Sequence, residues 1–269
     1  MSNSNQSLMR GLAILELLDK TPDTLGIRDI ARTLDLSPTI VQRLVHSLVD
    51  ANFARQDPQT QKYTIGYRAL ALGRSLMTEE RLVQNALPEL TALANDHHLN
   101  AYLSVISDGE LTYVLAEQSA GPIAIKIRPG SKALYHTTAM GKALLAGKPR
   151  KEVDGLLANE PLTAVTKNTI TDPDLFFATL ERADAQGYAL AEGENLDGVT
   201  SVGARIRDVH GNVVAAISVA YAPSLQPATQ METVVNLVTS AACRISLALG
   251  CPEEKLDQVT PVVEASGAA

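Results

Sequence analysis

At 269 residues the chain is too long for one small domain and implies two. With 45% apolar and 20% charged residues and no Trp, it has the composition of an ordinary globular protein rather than a disordered one. Its formal charge of −7 excludes the strongly basic footprint of a protein that grips nucleic acid tightly without sequence preference. Cys243 and Cys251 supply neither a disulfide framework nor metal-ligand spacing. The opening MSNSNQSLMR lacks an apolar signal core, and the longest apolar run, Val213 to Ala222, is about half a bilayer span. A cytoplasmic protein is expected, with no membrane partner, no cofactor and no metal.

The first predicted helix runs from Leu8 to Leu18, with Leu8, Leu12, Leu15 and Leu18 on its inner side. In the second, Ile27, Ile30, Ala31 and Leu34 recur at helical spacing and leave Arg28, Asp29 and Arg32 to solvent. A tight turn at Asp35-Leu36 follows, and then a strong start signal: Ser37 as N-cap and Pro38 at the first helical position, where its missing N–H is not needed. Val41, Leu44, Leu48 and Val49 form the buried stripe of this third helix, so Thr39, Gln42, Arg43, His46 and Ser47 face outward. Phe53 to Arg55 and Lys62 to Ile65 alternate around Asp57-Pro-Gln-Thr60 and read as a β-hairpin.

Three helices and a hairpin make a winged helix-turn-helix, whose second motif helix can lie in a major groove. Thr39, Gln42 and Arg43 are then placed to read base edges, with His46 on the same face, and Arg55 and Lys62 on the wing reach phosphate or the minor groove. Residues 1–66 carry seven basic and seven acidic side chains, so one copy lacks a basic footprint. Two copies on a roughly palindromic double-stranded operator are therefore expected.

Residues 67–81 read as a linker helix whose Ala69, Leu70, Leu72 and Leu76 call for burial against a second protomer. Another helix, Leu82 to Ala94, contains Pro88 as a break or a new first turn. The pattern then changes to period two, with strands at Tyr102–Ile106 and Leu111–Leu115 around Asp108-Gly109, and a third at Ile123–Ile127. Helices are predicted at Thr138–Ala146, Lys151–Ala158 and Asp172–Gln186, strands at Thr200–Arg207 and Val213–Tyr221, and a closing helix at Thr229–Leu249. The fold class is α+β, with a mostly antiparallel sheet in the second domain. The expected division is 1–66 for DNA binding, 67–81 for the linker, 82–250 for an effector domain and 251–269 for a flexible tail.

Tyr63-Thr-Ile-Gly66, His136-Thr-Thr-Ala-Met-Gly-Lys-Ala143, Gly187-Tyr188 to Glu194, Asp208 to Asn212 and Val214 to Val219 follow one another as in IclR-type transcriptional regulators, which the chain resembles over about residues 7 to 250. The resemblance implies a GAF-like effector domain, dimers that often pair into tetramers, and a small organic acid or aromatic compound as inducer of a repressor or activator. It also implies that Ile125, Ala139, Met140, Ser201, Ser218 and Ala220 line the effector pocket. The helix start at Ala139-Met140-Gly141 offers free N–H groups to a carboxylate; the chain departs from the resemblance where some members place an acidic residue before the Glu194 segment, having Ala191 followed by Glu192, and Ala220 replaces a hydroxyl residue. Few polar anchors and Met140 point to a larger or more apolar ligand, an aromatic acid first.

Other constellations carry less. Lys142 follows a glycine, but His136 and Ala143 break the P-loop pattern. His97-His98 has no third ligand at metal spacing. An alternative reading is a small-molecule enzyme that uses the winged helix only for assembly, with Glu192, Glu194 and His136 as acid and base. No nucleophile elbow, zinc-protease motif or Cys-His pair supports it, and a non-enzyme is expected.

Overall fold

In a computed structural model, which describes residues 5–72 and 81–260, Asn5 caps helix α1 (Gln6–Lys20) by accepting from the N–H groups of Ser7 and Leu8. The chain divides into two compact units between Glu80 and Arg81. In the first, α2 (Ile27–Thr33) turns at Asp35, whose positive φ of 51° lets the chain reverse, into α3 (Pro38–Asp50). Ser37 Oγ accepts from Ile40 N at 3.4 Å, so the N-cap is made as the sequence indicates. Strands β1 (Ala54–Gln56) and β2 (Tyr63–Ile65) pair antiparallel with Arg55 opposite Thr64, and Leu25 adds a bridge to Tyr63.

The core of this unit is Ile14, Leu18, Ile30, Ala31, Val41, Val45, Ala54 and Tyr63. Two stripes shift from expectation. On α1 the inner face is Gly11, Ile14 and Leu18, whereas Leu8 and Leu12 are 61% and 45% exposed, because the leucines at 8 and 12 lie off the i, i+3, i+7 line. On α3 the fully buried residues are Val41 and Val45, flanked by partly buried Leu44, Leu48 and Val49. Helical structure resumes over 68–72, where Leu70 and Leu72 are exposed; Leu76 lies outside the described residues.

The second unit is built on a five-stranded antiparallel sheet in the order β4-β3-β7-β6-β5, with β3 (Asn100–Ser107), β4 (Glu110–Glu117), β5 (Ala189–Glu192), β6 (Thr200–Arg207) and β7 (Val213–Tyr221). Asp108 and Gly109, both at positive φ, make the tight β3–β4 turn. One sheet face packs on α4 (Arg81–Asn95) and α8 (Met231–Ala248) through residues such as Leu90, Leu103, Val202, Ile217 and Val238. The other packs on α5 (Ala139–Leu145), with α6 (Arg150–Leu157) and α7 (Pro173–Gln186) outside it, through Met140, Leu144, Val153 and Phe176.

Four departures from the sequence reading have physical causes. Pro88 does not interrupt α4, since Leu82, Val83, Ala86, Leu90 and Leu93 hold both halves of the helix in one core. Ile123–Ile127 is extended but joins no ladder, because the Asn100 side chain takes up its backbone groups. Strand β5 has no counterpart in the sequence reading: at four residues without β-branching it carries little signal. Residues 251–260 are not a loose tail. Cys251 is buried, Glu253–Lys255 forms a 3₁₀ turn, Asp257 pairs with Arg205 and Arg207, and Thr260 N donates to Gln186 O.

Candidate functional site

The outward face of α3 presents Thr39, Gln42, Arg43, His46 and Ser47, all exposed. Val41 and Val45 anchor the opposite face, so these side chains project from a helix fixed on α1 and α2. On the wing, Lys62 is exposed, and Arg55 lies over the Tyr67 ring at 4.9 Å and donates to its hydroxyl at 3.2 Å. The Asp57 carboxylate accepts from Gln59 N and Thr60 N, which tightens the hairpin turn between them and draws its pKa below the usual carboxylate range. Arg43→Ala is expected to relax base preference and cost about 1–3 kcal/mol of DNA affinity, whereas Lys62→Ala should weaken all sequences alike and lower the salt dependence by about one ion. Titrations of operator and scrambled duplexes at several salt concentrations separate the two effects.

In the second unit the alternation of β6 and β7 creates the other site. Toward α4 and α8 the strands present Val202, Ala204, Ile206, Ile217, Val219 and Tyr221; toward α5 they present Ser201, Gly203, Ala216, Ser218 and Ala220. The small side chains let α5 approach the sheet so closely that a Cβ at Gly203 would lie 2.6 Å from the Ala139 carbonyl group. Beside this contact a cavity of about 50 Å³ remains, bounded by Tyr102, Tyr113, the start of α5 and the β5–β6 connection. At roughly 10–15 Å³ per water centre it has room for a few waters.

Ile125 and Ile127 close the cavity along the extended segment. Asn100 holds that segment: its Nδ2 donates to the Ile123 and Ala220 carbonyls at 3.0 and 3.1 Å, and its Oδ1 accepts from Ile125 N and Ser119 N at 2.8 and 3.2 Å. Every donor and acceptor of the buried amide is used. Tyr102 donates to the Ile125 carbonyl and meets Tyr113 edge-to-face at 5.5 Å. Burial raises the pKa of Tyr102 and pushes that of Tyr113 up to about 12, so both hydroxyls stay protonated near neutrality.

Of the side chains named from sequence, Ile125, Ala139, Met140, Ser201, Ser218 and Ala220 line this one cavity. Gly141 does not: it sits one turn into α5 with its N–H bonded to Thr138 Oγ1 at 3.2 Å. Nor does Glu192, which is exposed at the end of β5, where the period-two alternation turns it away from Ala191. Sequence reasoning missed Tyr102, Tyr113, Thr137 and Asn195 on the lining, so the expectation of few polar anchors is overturned. The hydroxyls of Tyr113, Ser201 and Ser218 and the Asn195 Nδ2 have no partner among the described residues, while Thr137 donates to Asn195 Oδ1.

Behind the lining lies a buried polar network. Lys142 Nζ donates to both Glu194 oxygens at 2.5 and 2.7 Å and to the Leu190 carbonyl at 3.1 Å; burial draws its pKa below the usual lysine range against the pull of Glu194. The Glu194 carbonyl accepts from Thr166 and Thr169. His136 is fully buried with Nε2 at 2.9 Å from the Thr163 carbonyl and Nδ1 at 3.6 Å from Glu160. Burial opposes its charge, but Glu160 and the Thr163 carbonyl outweigh that and hold its pKa above the ordinary value. His136 and Glu194 thus face partners inside the protein, and neither borders the cavity. Among the described residues no group of three or more His, Cys, Asp or Glu could hold a metal, and no helix is long and apolar enough to cross a membrane.

The winged fold with its exposed helix face and the sheet cavity roofed by a short helix are matched by two family descriptions: the IclR helix-turn-helix domain over residues 7–58 and the C-terminal part of the bacterial transcriptional regulator IclR over residues 75–247. The chain belongs to the IclR family. Curated relatives cover nearly its whole length. The HTH-type transcriptional regulator BhcR of Paracoccus denitrificans is 29% identical over 92% of this chain and 88% of its own. The HTH-type transcriptional repressor AllR of Salmonella typhi is 29% identical over 91% and 90%. A solved IclR homologue from Microbacterium hydrocarbonoxydans, complexed with 4-hydroxybenzoate, shares the fold with a TM-score of 0.79 at 24% identity, covering 91% of this chain and 99% of that one. This IclR-family chain thus joins a helix-turn-helix unit to an IclR C-terminal unit, and its relatives BhcR and AllR are regulators of transcription.

Proposed function

We propose that this protein is a sequence-specific regulator of transcription in which α3 reads a roughly palindromic operator and the sheet cavity takes a small organic acid, an aromatic one first. The observation that carries the ligand reading is the convergence of four unpartnered polar groups, from Tyr113, Asn195, Ser201 and Ser218, on a pocket whose remaining lining is mostly apolar, with Ile125, Ile127, Met140 and Val199 among it. Tyr113 and Ser218 are buried, Ser201 is half-buried and Asn195 is exposed, so groups without protein partners converge from the interior to the rim of one pocket and mark a place for an exchangeable partner. The cavity as it stands holds only a few waters, so a flat ring packs against the edge-to-face tyrosines as lining side chains move aside, and its carboxylate meets the hydroxyls and the N–H groups of Ala139 and Met140 at the start of α5. The 4-hydroxybenzoate held by the Microbacterium homologue is a ligand of this chemistry.

Ligand binding favours one arrangement of two protomers and so sets the spacing of their winged helices on DNA. Ser218→Phe fills the cavity from β7, directly between Tyr102 and Gly203 in the sheet register. It is expected to abolish calorimetric binding of aromatic and aliphatic acids and the effector response in DNA-shift assays, with operator affinity retained. A Ser218→Phe protein that still binds and responds places the effector elsewhere.

Assembly into at least a dimer rests on the apolar surface that Leu8, Met9, Leu12, Tyr67, Leu70 and Leu72 leave exposed. Sedimentation at micromolar concentration without DNA should give the mass of two or four chains, and a monomer would refute the arrangement.

A further inference from the structure

The far end of β6 carries a cluster of charge unrelated to the cavity. Strand β5 covers β6 only from Thr200 to Gly203, and past that point stand Arg205 and Arg207. Arg205 is buried; its Nε and Nη2 donate to the two oxygens of Asp257 at 3.0 and 2.7 Å, and its Nη1 donates to Asp184 at 2.5 Å. Arg207 Nη2 donates to the same Asp257 Oδ1 at 2.8 Å. Its Nε is buried and meets no acceptor among the described residues.

That orphan decides the reading. In a guanidinium, Nε and Nη2 share one edge of the fork, the edge that grips a carboxylate or phosphate with two parallel bonds. Arg205 uses both members of this edge on Asp257, whereas Arg207 uses one. Asp257, placed where its Oδ1 is already shared by both Nη2 groups, reaches three of these four N–H groups; a tetrahedral oxyanion, with a third oxygen set out of that plane, can reach all four. A cavity of about 20 Å³ lined by Thr239, Cys243 and Ser246 adjoins the pair. Asp184 offsets one of the two positive charges, so removal of Asp257 leaves one uncompensated.

Asp257 arrives on the segment after α8, which Lys255 Nζ ties to the His210 carbonyl at 2.8 Å and which, among the described residues, one backbone bond holds beyond Asp257, Thr260 N to Gln186 O at 3.1 Å. We propose that Arg205 and Arg207 form a second ligand site, for a tetrahedral oxyanion such as inorganic phosphate or the phosphoryl group of a phosphomonoester, in which Asp257 is an internal stand-in. The anion takes the Nε–Nη2 edges of both arginines and frees residues 253–260 from the sheet.

The full-length protein is titrated with inorganic phosphate, methyl phosphate and acetate at matched ionic strength. Amide hydrogen exchange over residues 253–260 is followed alongside calorimetry. Phosphate or methyl phosphate is expected to speed exchange there and leave β3 and β4 unchanged, the better of the two identifying a free or an esterified phosphate as the ligand. Acetate is expected to act more weakly. Asp257→Asn removes the internal competitor and should tighten phosphate binding by about tenfold, and adding Arg207→Ala should abolish it. Unchanged or slowed exchange in the wild type with both phosphates, or acetate as effective as phosphate, overturns the proposal. So does phosphate affinity unaltered in Asp257→Asn. The wild-type exchange arm stands even if a variant fails to fold, and none of these outcomes depends on the effector cavity.

Discussion

Lys142→Ala is expected to destabilise the second unit by about 3–5 kcal/mol, the range for breaking a buried ion pair from one side. Lys142 and Glu194 are 2% and 7% exposed, so the truncation strands a carboxylate where water does not reach it and takes a donor from the Leu190 carbonyl. Glu194 adjoins Asn195 and Leu196, which border the cavity, so the loss extends to ligand binding. Because the penalty comes from the unpaired partner more than from the pair, Lys142→Met combined with Glu194→Leu should regain most of the stability. Urea unfolding of the single and double variants measures both, and a loss below about 1 kcal/mol for Lys142→Ala would mean that water reaches Glu194.

Gly203→Val should be nearly as damaging, for a steric reason. The Cβ alone would sit 2.6 Å from Ala139 C and O and 2.8 Å from Met140 N, all backbone atoms of α5 that no rotamer change can move aside. The helix must lift from the sheet, at a cost of about 3 kcal/mol or more, and the cavity beside it loses its wall. Thermal unfolding and ligand calorimetry test this together. Normal stability with normal binding would show that α5 can shift without consequence.

The Ser37-Pro38 start and the Asp108-Gly109 turn were legible because their residues dictate local backbone geometry, and both are made as expected. Ser201, Ser218 and Ala220 came to the pocket through the family resemblance and not through the local pattern of β6 and β7. What escaped depends on chain segments distant in sequence. Asn100 reads as an ordinary polar residue until Ile123, Ile125 and Ala220 surround it, and its occupation of that backbone is why Ile123–Ile127 forms no ladder despite its strand-like composition. Lys142 resembled a failed phosphate-binding lysine because its partner lies 52 residues away. Tyr102 and Tyr113 read as strand residues and lie in β3 and β4, but nothing local says which face of the hairpin meets the cavity. The residues from 251 to 260 are polar enough to pass for a tail, and only Arg205 and Arg207 give Asp257 a place.

The two faces of β6 and β7 also differ in how freely they can change during descent. Val202, Ile217 and Val219 are enclosed by helices, and Gly203 is held to its size by a helix backbone, so enlarging any of them disturbs the fold. Ser201, Ser218 and Ala220 border empty space, where a methyl group or a hydroxyl can be gained or lost without displacing a neighbour. Alternate positions of the same strands thus separate what keeps the protein standing from what, under the proposed function, it recognises. On that proposal, a lineage built on this plan acquires a new inducer through one or two substitutions while its architecture stays fixed.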